Sequence, residues 1–399
     1  LDSLRLVRRD KGAGKWMATD VDDSDWSTIQ VPGNWRTNGM DVNGVVWYRK
    51  DFEVPASMVG RHAKLYMGTL IDSDSVFVNG CFVGSTAYMY PPRKYNIPAG
   101  VLREGRNNIT VKLTANSANG GFVEEKPYKI VGDEAEINLV GTWKYRVGMN
   151  LNEAGKYVKR LANLKSAGSG LYNGMIYPIK DYKIKGTIWY QGETNAGHPQ
   201  GYATLLESLI TNWRELWEMP EMPFLLVQLP NFMKKQMQPS DGGWARLREA
   251  QLQIAMNVPH TTLAVTYDVG EWNDIHPLNK KAVAHRLFLG ARKVAYGEKL
   301  VSSGPVYKEM KIEGDKIILT FTETGSGLTS KEGKHFAIAG EDRKFVWANA
   351  VIKGGRIIVS SKDVAKPVAV RYAWSDNPEE ANLCNKEGLL ASPFRTDNW

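Results

Sequence analysis

The feature that most constrains the fold is a change in hydrophobic rhythm near residue 150. From about residue 16 to residue 147, short runs of alternating apolar residues are separated by turn residues, a pattern typical of an all-β sandwich. Asn79-Gly80 stands between the run that ends at Val78 and the run that starts at Phe82. This dipeptide is the strongest short-range signal for a β-hairpin. We therefore predict that the first third of the chain is a β-sandwich.

Beyond residue 150, predicted strands and helices alternate. Short apolar runs bounded by turn residues indicate strands, and apolar residues at helical spacing indicate helices. The strands are predicted at 184–190, 224–229 and 262–267, and the helices at 202–217, at 244–256 and in a third segment that has Pro277 in its first turn. Such alternation predicts a parallel sheet flanked by helices. Strand-like runs return from about residue 304, which predicts a second, smaller β-domain.

Composition excludes several classes of protein. The chain has 51 Lys and Arg against 43 Asp and Glu, a net charge of +8, but these bases are scattered, which argues against nucleic acid as a partner. No apolar run approaches the length of a membrane span. Cys81 and Cys384 fall in different predicted domains, so neither a disulfide framework nor a metal cluster is indicated. No leader pattern is visible from Leu1 onward, and we expect that residues precede it.

Candidate catalytic residues follow two strands of the predicted parallel sheet. Ligands of such sheets bind beyond the carboxyl ends of the strands. Gly192 and Asn195 come after the first predicted strand, and Asp274 and His276 come after the third. A histidine placed there suits a general base, and an asparagine amide suits a developing oxyanion, while Gly192 would allow close backbone approach. This combination suggests acyl transfer, although each signal taken alone also fits an ordinary structural loop.

The same segments resemble the sialate O-acetylesterases. The resemblance is carried by 170–176, 188–195 and 274–280, extends through 247–251 and 371–374, and covers most of residues 151 to 399. The resemblance implies an SGNH (GDSL-type) hydrolase with a flavodoxin-like α/β/α domain, in which a serine attacks an acetyl ester. It further implies that Gly192 and Asn195 help to form the oxyanion hole and that His276 is the base. Gln191, Glu193 and Trp189 would then contact the substrate.

Two departures from the family pattern bear on the mechanism. The usual Asp-x-x-His spacing would place an acid at position 273, which is Asn273, whereas Asp274 lies one residue later. Asp274 could still orient His276, or a backbone carbonyl could do so and leave a serine–histidine dyad. The family's Gly-x-Ser-Asn run is also missing from the sequence. Because a three-stranded parallel sheet would leave bare edges, we expect the nucleophile to lie in a missing N-terminal hydrolase segment that precedes Leu1.

The predicted sandwich resembles the sugar-binding jelly-roll domains of β-galactosidases. The likeness rests on Asp25-Trp26, on 31–35, on 47–49 and on 78–80. It implies a galactose-binding-like fold, although its aromatic residues could equally be core residues without a sugar site. The domains expected are a remnant or linker (1–12), the jelly-roll sandwich (13–147), the C-terminal half of the hydrolase domain (148–303) and a small β-sandwich-like domain (304–399).

We thus expect a secreted or periplasmic esterase that removes O-acetyl groups from sialic acid or another acetylated glycan without a metal or other cofactor. This chain alone is expected to have almost no esterase activity, because the serine is missing. One alternative is a carbohydrate-binding protein with a vestigial hydrolase domain. Another is a glycosidase, in which Glu193 would act with Glu271 or Asp274 as a pair of carboxylates.

Overall fold

The computed structural model describes residues 9–116, 119–152 and 168–399. The chain divides into two compact units, Leu1–Asn163 and Leu164–Trp399. The linker predicted at 1–12 lies mostly outside the described residues, as does the start of the segment predicted at 148–303. No helix within the described ranges is long and apolar enough to cross a bilayer.

The first unit is an all-β sandwich. A six-stranded antiparallel sheet has the order β1-β13-β3-β9-β6-β7, a four-stranded sheet has the order β12-β11-β4-β8, and β2, β10 and β5 form a short third sheet. These strands span Ser27–Val31 (β1), Gly33–Asn34 (β2), Gly44–Val54 (β3), Ala63–Met67 (β4), Leu70–Ile71 (β5), Ser73–Val78 (β6), Cys81–Thr86 (β7), Lys94–Ile97 (β8), Gly105–Ala115 (β9), Gly121–Phe122 (β10), Tyr128–Val131 (β11), Glu136–Asn138 (β12) and Gly141–Asn150 (β13).

The sandwich core fills the space between the two larger sheets. Inward residues alternate along the strands: Val46 and Tyr48 on β3 face the same cluster as Leu65 and Met67 on β4. The hairpin predicted at Asn79-Gly80 is confirmed, since these two residues join β6 to β7 with φ of 49° and 76°, as a type I′ turn requires. The last strand continues to Asn150, three residues beyond the predicted end of the sandwich.

The second unit begins, within its described part, with a short helical segment and a parallel sheet. A π-helical turn, Tyr172–Ile176, and a 3₁₀ turn, Tyr177–Ile179, lead into it. The sheet order is β14-β15-β16, all parallel. Its elements in chain order are Thr187–Trp189 (β14), Tyr202–Leu216 (α1), Phe224–Val227 (β15), Gly243–Asn257 (α2), Thr261–Ala264 (β16) and Lys280–Val294 (α3).

The helices cover both faces of this sheet, which confirms the predicted α/β class. Helices α1 and α2 pack on the face that carries Phe224 and Leu226, and α3 packs on the face that carries Leu225 and Val227. The predicted start of α3 was wrong. Asn279 is its N-cap, with Oδ1 accepting from the Ala282 N–H at 3.2 Å, because an asparagine side chain satisfies an exposed helix donor that a proline at 277 cannot.

The rest of the second unit consists of antiparallel sheets. The strands are Val306–Glu313 (β17), Lys316–Thr322 (β18), Leu328–Thr329 (β19), Phe336–Ala339 (β20), Val346–Trp347 (β21), Asn349–Lys353 (β22), Arg356–Ser360 (β23), Ala369–Tyr372 (β24), Cys384–Asn385 (β25) and Phe394–Arg395 (β26). One hydrophobic cluster contains Ile317 and Tyr372 from these sheets together with Trp244 and Tyr267 from the α/β part. The segment from residue 304 onward therefore shares its core with the parallel sheet.

Candidate active site

The candidate residues lie beyond the carboxyl ends of β14 and β16. Gln191–Asn195 follows β14 and ends in a 3₁₀ turn, Thr194–Gly197, and the loop that follows β16 carries Asp274 and His276. In a parallel sheet the carboxyl ends of the strands lie at the same edge, where ligands bind.

The backbone at Gly192 is adapted to close packing. Its φ is +149°, and a Cβ at this position would lie 2.6 Å from Leu247 Cδ2 and 3.3 Å from Gln251 Nε2. Both the dihedral and the space therefore require glycine. The Gly192 N–H donates to Glu193 Oε2 at 3.0 Å, so an oxyanion bound by this N–H would have to displace a carboxylate. The oxyanion role of Gly192 stays a prediction.

Asn195 is held by its neighbour Gln191. Gln191 Nε2 donates to Asn195 Oδ1 at 2.7 Å, so the Asn195 oxygen is engaged and its amide nitrogen is the group left to donate. The Gln191 carbonyl in turn accepts from Tyr202 Oη at 3.0 Å and from Gln251 Nε2 at 3.1 Å. These bonds fix the segment after β14 to helices α1 and α2. Sequence reasoning missed Tyr202 and Gln251 as its supports.

Trp189 has contacts of a different kind. Its indole N–H donates to Tyr202 Oη at 3.4 Å, and its ring makes an edge contact with Trp213 at 6.0 Å between centroids. The ring also packs against the main cluster of the second unit. These contacts account for Trp189 as a core residue, and its contact with substrate stays a prediction.

His276 and Asp274 are adjacent but not in direct side-chain hydrogen bonding. His276 Nδ1 is 3.8 Å from Asp274 Oδ1, which exceeds hydrogen-bond range. The His276 backbone N–H instead donates to the same Oδ1 at 2.9 Å. Asp274 thus fixes the backbone at His276 and acts on the imidazole through its charge. The imidazole is 37 % exposed and Asp274 is 9 % exposed.

Charged residues of both loops influence His276. Partial burial lowers the pKa of His276 below its ordinary value, against the carboxylates of Asp274 and Glu193, which raise it; Lys280 lowers it further. The imidazole is therefore neutral at neutral pH, the form that can accept a proton. Glu193 follows β14 and Asp274 follows β16, so both segments act on one histidine.

Lys280 and Tyr190 border the same place and were missed from the sequence. Lys280 Nζ lies 5.1 Å from the centroid of the Tyr190 ring. Partial burial lowers the pKa of Lys280, whereas the carboxylates of Asp274 and Glu193 raise it. A lysine at the start of a helix is an unremarkable surface residue in a sequence, and only the fold shows that its charge lowers the pKa of His276.

A buried polar network stabilises the loops that follow β15 and β16. Arg248, on α2, is fully buried and donates to the carbonyls of Leu229 and Pro230 at 2.8 and 2.6 Å. The Gly270 N–H donates to Asn231 Oδ1 at 2.7 Å, which ties the loop after β15 to the loop after β16. Within the described ranges no group of three or more His, Cys, Asp or Glu side chains is arranged to hold a metal ion.

Comparison with known proteins agrees with this arrangement. Residues 151–289 match the family described as carbohydrate esterase, sialic acid-specific acetylesterase. Residues 14–119 match the second all-beta domain of beta-galactosidase.

Three relatives illustrate the likeness. The sialate O-acetylesterase of Mus musculus is 33% identical over 254 residues, 57% of this chain and 47% of that protein. The human sialate O-acetylesterase is 32% identical over 257 residues, 57% of this chain and 49% of that protein. The crystal structure of a carbohydrate acetylesterase from Xanthomonas citri aligns with a TM-score of 0.55 and 29% identity, over 86% of this chain and 96% of that one.

The chain spans about half the length of the curated relatives that it matches. The family match and the Xanthomonas structure cover the residues that build the crevice, and the beta-galactosidase match covers most of the sandwich. Residues 151–289 are therefore similar to the sialic acid-specific acetylesterase family, and residues 14–119, N-terminal to them, are similar to a beta-galactosidase all-beta domain.

Proposed function

We propose that this chain supplies the general base and an oxyanion donor of a serine-type carbohydrate O-acetylesterase that acts on O-acetylated sialic acid or another acetylated glycan. The observation that carries the proposal is His276. It is partly exposed, lies beyond the carboxyl end of a parallel strand, and has a pKa that burial lowers and that the carboxylates of Asp274 and Glu193 raise. The names of the relatives, which are sialate or carbohydrate acetylesterases, point to the same substrates.

The proposed reaction is a two-step acyl transfer. A serine oxygen attacks the acetyl carbonyl carbon while His276 takes its proton, and the carbonyl oxygen becomes an oxyanion that the Asn195 amide N–H stabilises. The intermediate collapses as the bond from carbon to the sugar oxygen breaks, and protonated His276 gives its proton to that oxygen. Water then attacks the acetyl-enzyme in the same way, with His276 again as base, and acetate leaves.

The serine is proposed to come from a segment that adds a strand beside β14. Among the described strands, β14 is an edge of the parallel sheet, with β15 as its neighbour. Ile188 lies on the face that α3 covers at Leu225, yet its side chain is 62 % exposed. Parallel sheets are normally buried on both faces, so an apolar residue exposed at this edge is consistent with a further strand and its connection.

The test compares this chain with the protein encoded by the complete gene, using p-nitrophenyl acetate and O-acetylated sialic acid as substrates. The complete protein should hydrolyse both, and this chain alone should be almost inactive. His276→Ala in the complete protein should lower turnover about 10²- to 10⁴-fold, as expected for loss of a general base.

The matched control is His285→Ala, because His285 is an exposed histidine on α3; its activity should equal that of the unmodified protein. Full activity of His276→Ala would refute the mechanism. A complete protein that binds glycans but hydrolyses neither ester would instead favour the carbohydrate-binding alternative.

A further inference from the structure

A cleft in the C-terminal part of the second unit has the features of a separate ligand site. It encloses about 300 Å³, which is at the lower end of the range for small-molecule pockets. Trp347, at the end of β21, lines it, and this residue is 39 % exposed. The Trp347 indole N–H donates to the Met237 carbonyl at 2.9 Å, and the His335 ring meets Trp347 edge-on, with 5.5 Å between centroids. The tryptophan is thus held in one orientation while part of its surface stays accessible.

The positive and negative charges around the Trp347 ring cancel. Lys235 Nζ is 2.8 Å from Glu380 Oε2, and Lys334 Nζ is 3.0 Å from Glu332 Oε2. The bond from Lys235 lowers the pKa of Glu380, and the bond to Glu332 raises the pKa of Lys334, so Glu380 and Lys334 are ionised at neutral pH. The cleft therefore offers ammonium donors and carboxylate acceptors with no net charge.

His335 adds a polar group without adding charge. Burial lowers the pKa of His335 to about 4, and nearby Lys235 lowers it as well, whereas Glu380 raises it. The imidazole is neutral at neutral pH and offers one donor and one acceptor.

The turn that lines the cleft is conformationally strained. Glu332 and His335 have positive φ of 63° and 65°, a region that costs non-glycine residues on the order of 1 kcal/mol or more each. Between them Gly333 has φ of 57°, and a Cβ there would lie 2.2 Å from the Ala350 carbonyl oxygen. Strain of this kind is concentrated at ligand and active sites.

We propose that the cleft around Trp347 binds a neutral pyranose residue of a glycan. One face of such a sugar carries C–H groups that pack on an aromatic ring, and its hydroxyls both donate to carboxylates and accept from ammonium groups. The balanced charge gives no advantage to an anionic sugar. The site is distinct from the residues proposed for acetyl transfer and does not depend on that activity.

The cleft is connected to the candidate active site through a short loop. Lys235 lines the cleft, and two residues before it the Met233 N–H donates to the Trp272 carbonyl at 2.8 Å. Lys234 Nζ lies 5.5 Å from the centroid of the Trp272 ring. Trp272 belongs to the loop that carries Asp274 and His276. A sugar bound in the cleft is thus one short loop away from the proposed base.

The experiment measures binding by this chain of three neutral disaccharides, lactose, xylobiose and N,N′-diacetylchitobiose, with N-acetylneuraminic acid as the anionic probe. Saturation-transfer NMR and tryptophan fluorescence report binding without any esterase activity. We expect at least one neutral probe to bind and Trp347→Ala to weaken it about tenfold or more, as loss of a central aromatic contact does. Trp347→Phe should keep most of the affinity, and Tyr182→Ala, which removes an aromatic ring that is 74 % exposed and outside the cleft, should keep all of it.

A second variant guards against a folding defect in Trp347→Ala. Glu380→Gln changes an exposed carboxylate into a neutral group of the same shape and gives the cleft a net positive charge. It should weaken the neutral sugar several-fold and strengthen N-acetylneuraminic acid. Binding of none of the neutral probes, equal binding by Trp347→Ala, or a preference of the unmodified chain for the anionic probe would overturn the proposal.

Discussion

The two units each contain a fully buried arginine that binds backbone carbonyls, but they neutralise it differently. In the sandwich, Arg93 Nε donates to Asp74 Oδ1 at 2.6 Å, and neither side chain is exposed. Its remaining donors bind the carbonyls of Leu70, Asp72, Tyr88, Met89 and Pro91. The cation holds the loop after β7 and has its counter-charge beside it.

In the second unit, the described hydrogen bonds of Arg248 all go to carbonyl oxygens. They join the loop after β15 to the segment after β24, through Leu229, Pro230, Ser375 and Asp376 at 2.6 to 3.0 Å. Burial lowers the pKa of Arg248 to about 9, while the charge of Asp376 raises it, so the guanidinium is still charged at neutral pH.

The two arginines show that a buried cation can stabilise a loop either with a paired carboxylate or through bonds to carbonyls alone. The Arg93–Asp74 pair is locally neutral, so replacing both residues with apolar ones leaves no buried charge, although the carbonyls that Arg93 binds lose their donor. Arg248 holds two loops by its own donors, so nothing apolar can take its place. The Arg93–Asp74 pair stabilises a sandwich loop. Arg248, whose described hydrogen bonds all go to carbonyls, stabilises loops of the second unit.

Arg93→Met tests the sandwich half of this comparison and should have the largest effect. It leaves the Asp74 carboxylate buried without its cation, which typically costs about 3 to 5 kcal/mol. Urea denaturation should show this loss in the transition of the sandwich. The double variant Arg93→Met/Asp74→Leu should recover part of it, because no unpaired carboxylate stays buried and Tyr95 keeps its bond to Thr86 Oγ1 at 2.8 Å. A double variant as unstable as the single one would contradict the comparison.

Arg248→Met tests the other half. It leaves the carbonyls of two loops unsatisfied but also removes a desolvated charge, so we expect a smaller loss of about 2 to 3 kcal/mol. Arg248→Lys should not restore the stability, because an ammonium cannot reproduce the fork of the guanidinium.

The control for Arg248 is Arg246→Met on the same helix. Arg246 is partly exposed and pairs with Asp241 at 2.6 Å, so its loss should cost about 1 kcal/mol or less. Equal stability of the Arg248 and Arg246 variants would show that the buried cation contributes nothing special.

The structural role of neither arginine could be derived from the sequence, whereas the fold class could. The Asn79-Gly80 hairpin and the alternation of strands and helices depend on neighbouring residues, and local pattern predicts them. Three predicted parallel strands also imply bare sheet edges, without indicating that one of them lies at Ile188. No local sequence pattern predicts that Arg248 is buried and bound to carbonyls, because its hydrogen-bond partners are up to 128 residues away.

For the candidate site as well, the sequence predicts some features and only the structure shows the others. The position of residues after a strand predicts that the segments with Glu193 and His276 face one crevice, and the Glu193 carboxylate does raise the pKa of His276. A joint catalytic role stays a prediction. The spacing of family motifs left the role of Asp274 open, and the structure gives it a backbone contact and a 3.8 Å approach to the imidazole. Gln251 and Lys280 lie in segments that carry the family resemblance, but neither was given a role, because a helical glutamine or lysine is common on any surface.

Gln251→Leu tests how much an uncharged residue of the buried polar network contributes to the stability of the second unit. Gln251 Oε1 accepts from the Leu229 N–H at 3.0 Å in a buried position, and leaving that N–H unsatisfied costs about 1 to 3 kcal/mol. We expect a loss near the lower end of this range, together with faster hydrogen exchange at the Leu229 amide. Gln253→Leu, an exposed position on the same helix, should change neither quantity, and unchanged exchange in Gln251→Leu would remove it from the supports of the crevice.

The smallest expected effect concerns the charges on His276, measured on this chain by NMR titration of the imidazole C–H protons. Asp274→Asn removes a charge that raises the pKa of His276, so the pKa should fall; Lys280→Met removes a charge that lowers it, so the pKa should rise. Because solvent screens this partly exposed histidine, each change should correspond to less than about 1 kcal/mol.

The asparagine at 274 can still accept from the His276 backbone N–H, which separates the charge effect from loss of the turn. Lys281→Met, an exposed neighbour, should leave the titration unchanged. In the proposed esterase the neutral imidazole is the active form, so the acid limb of kcat/KM should move to lower pH in Asp274→Asn and to higher pH in Lys280→Met. Shifts of the same sign in both variants would show that packing, and not these two charges, sets the pKa of the proposed base.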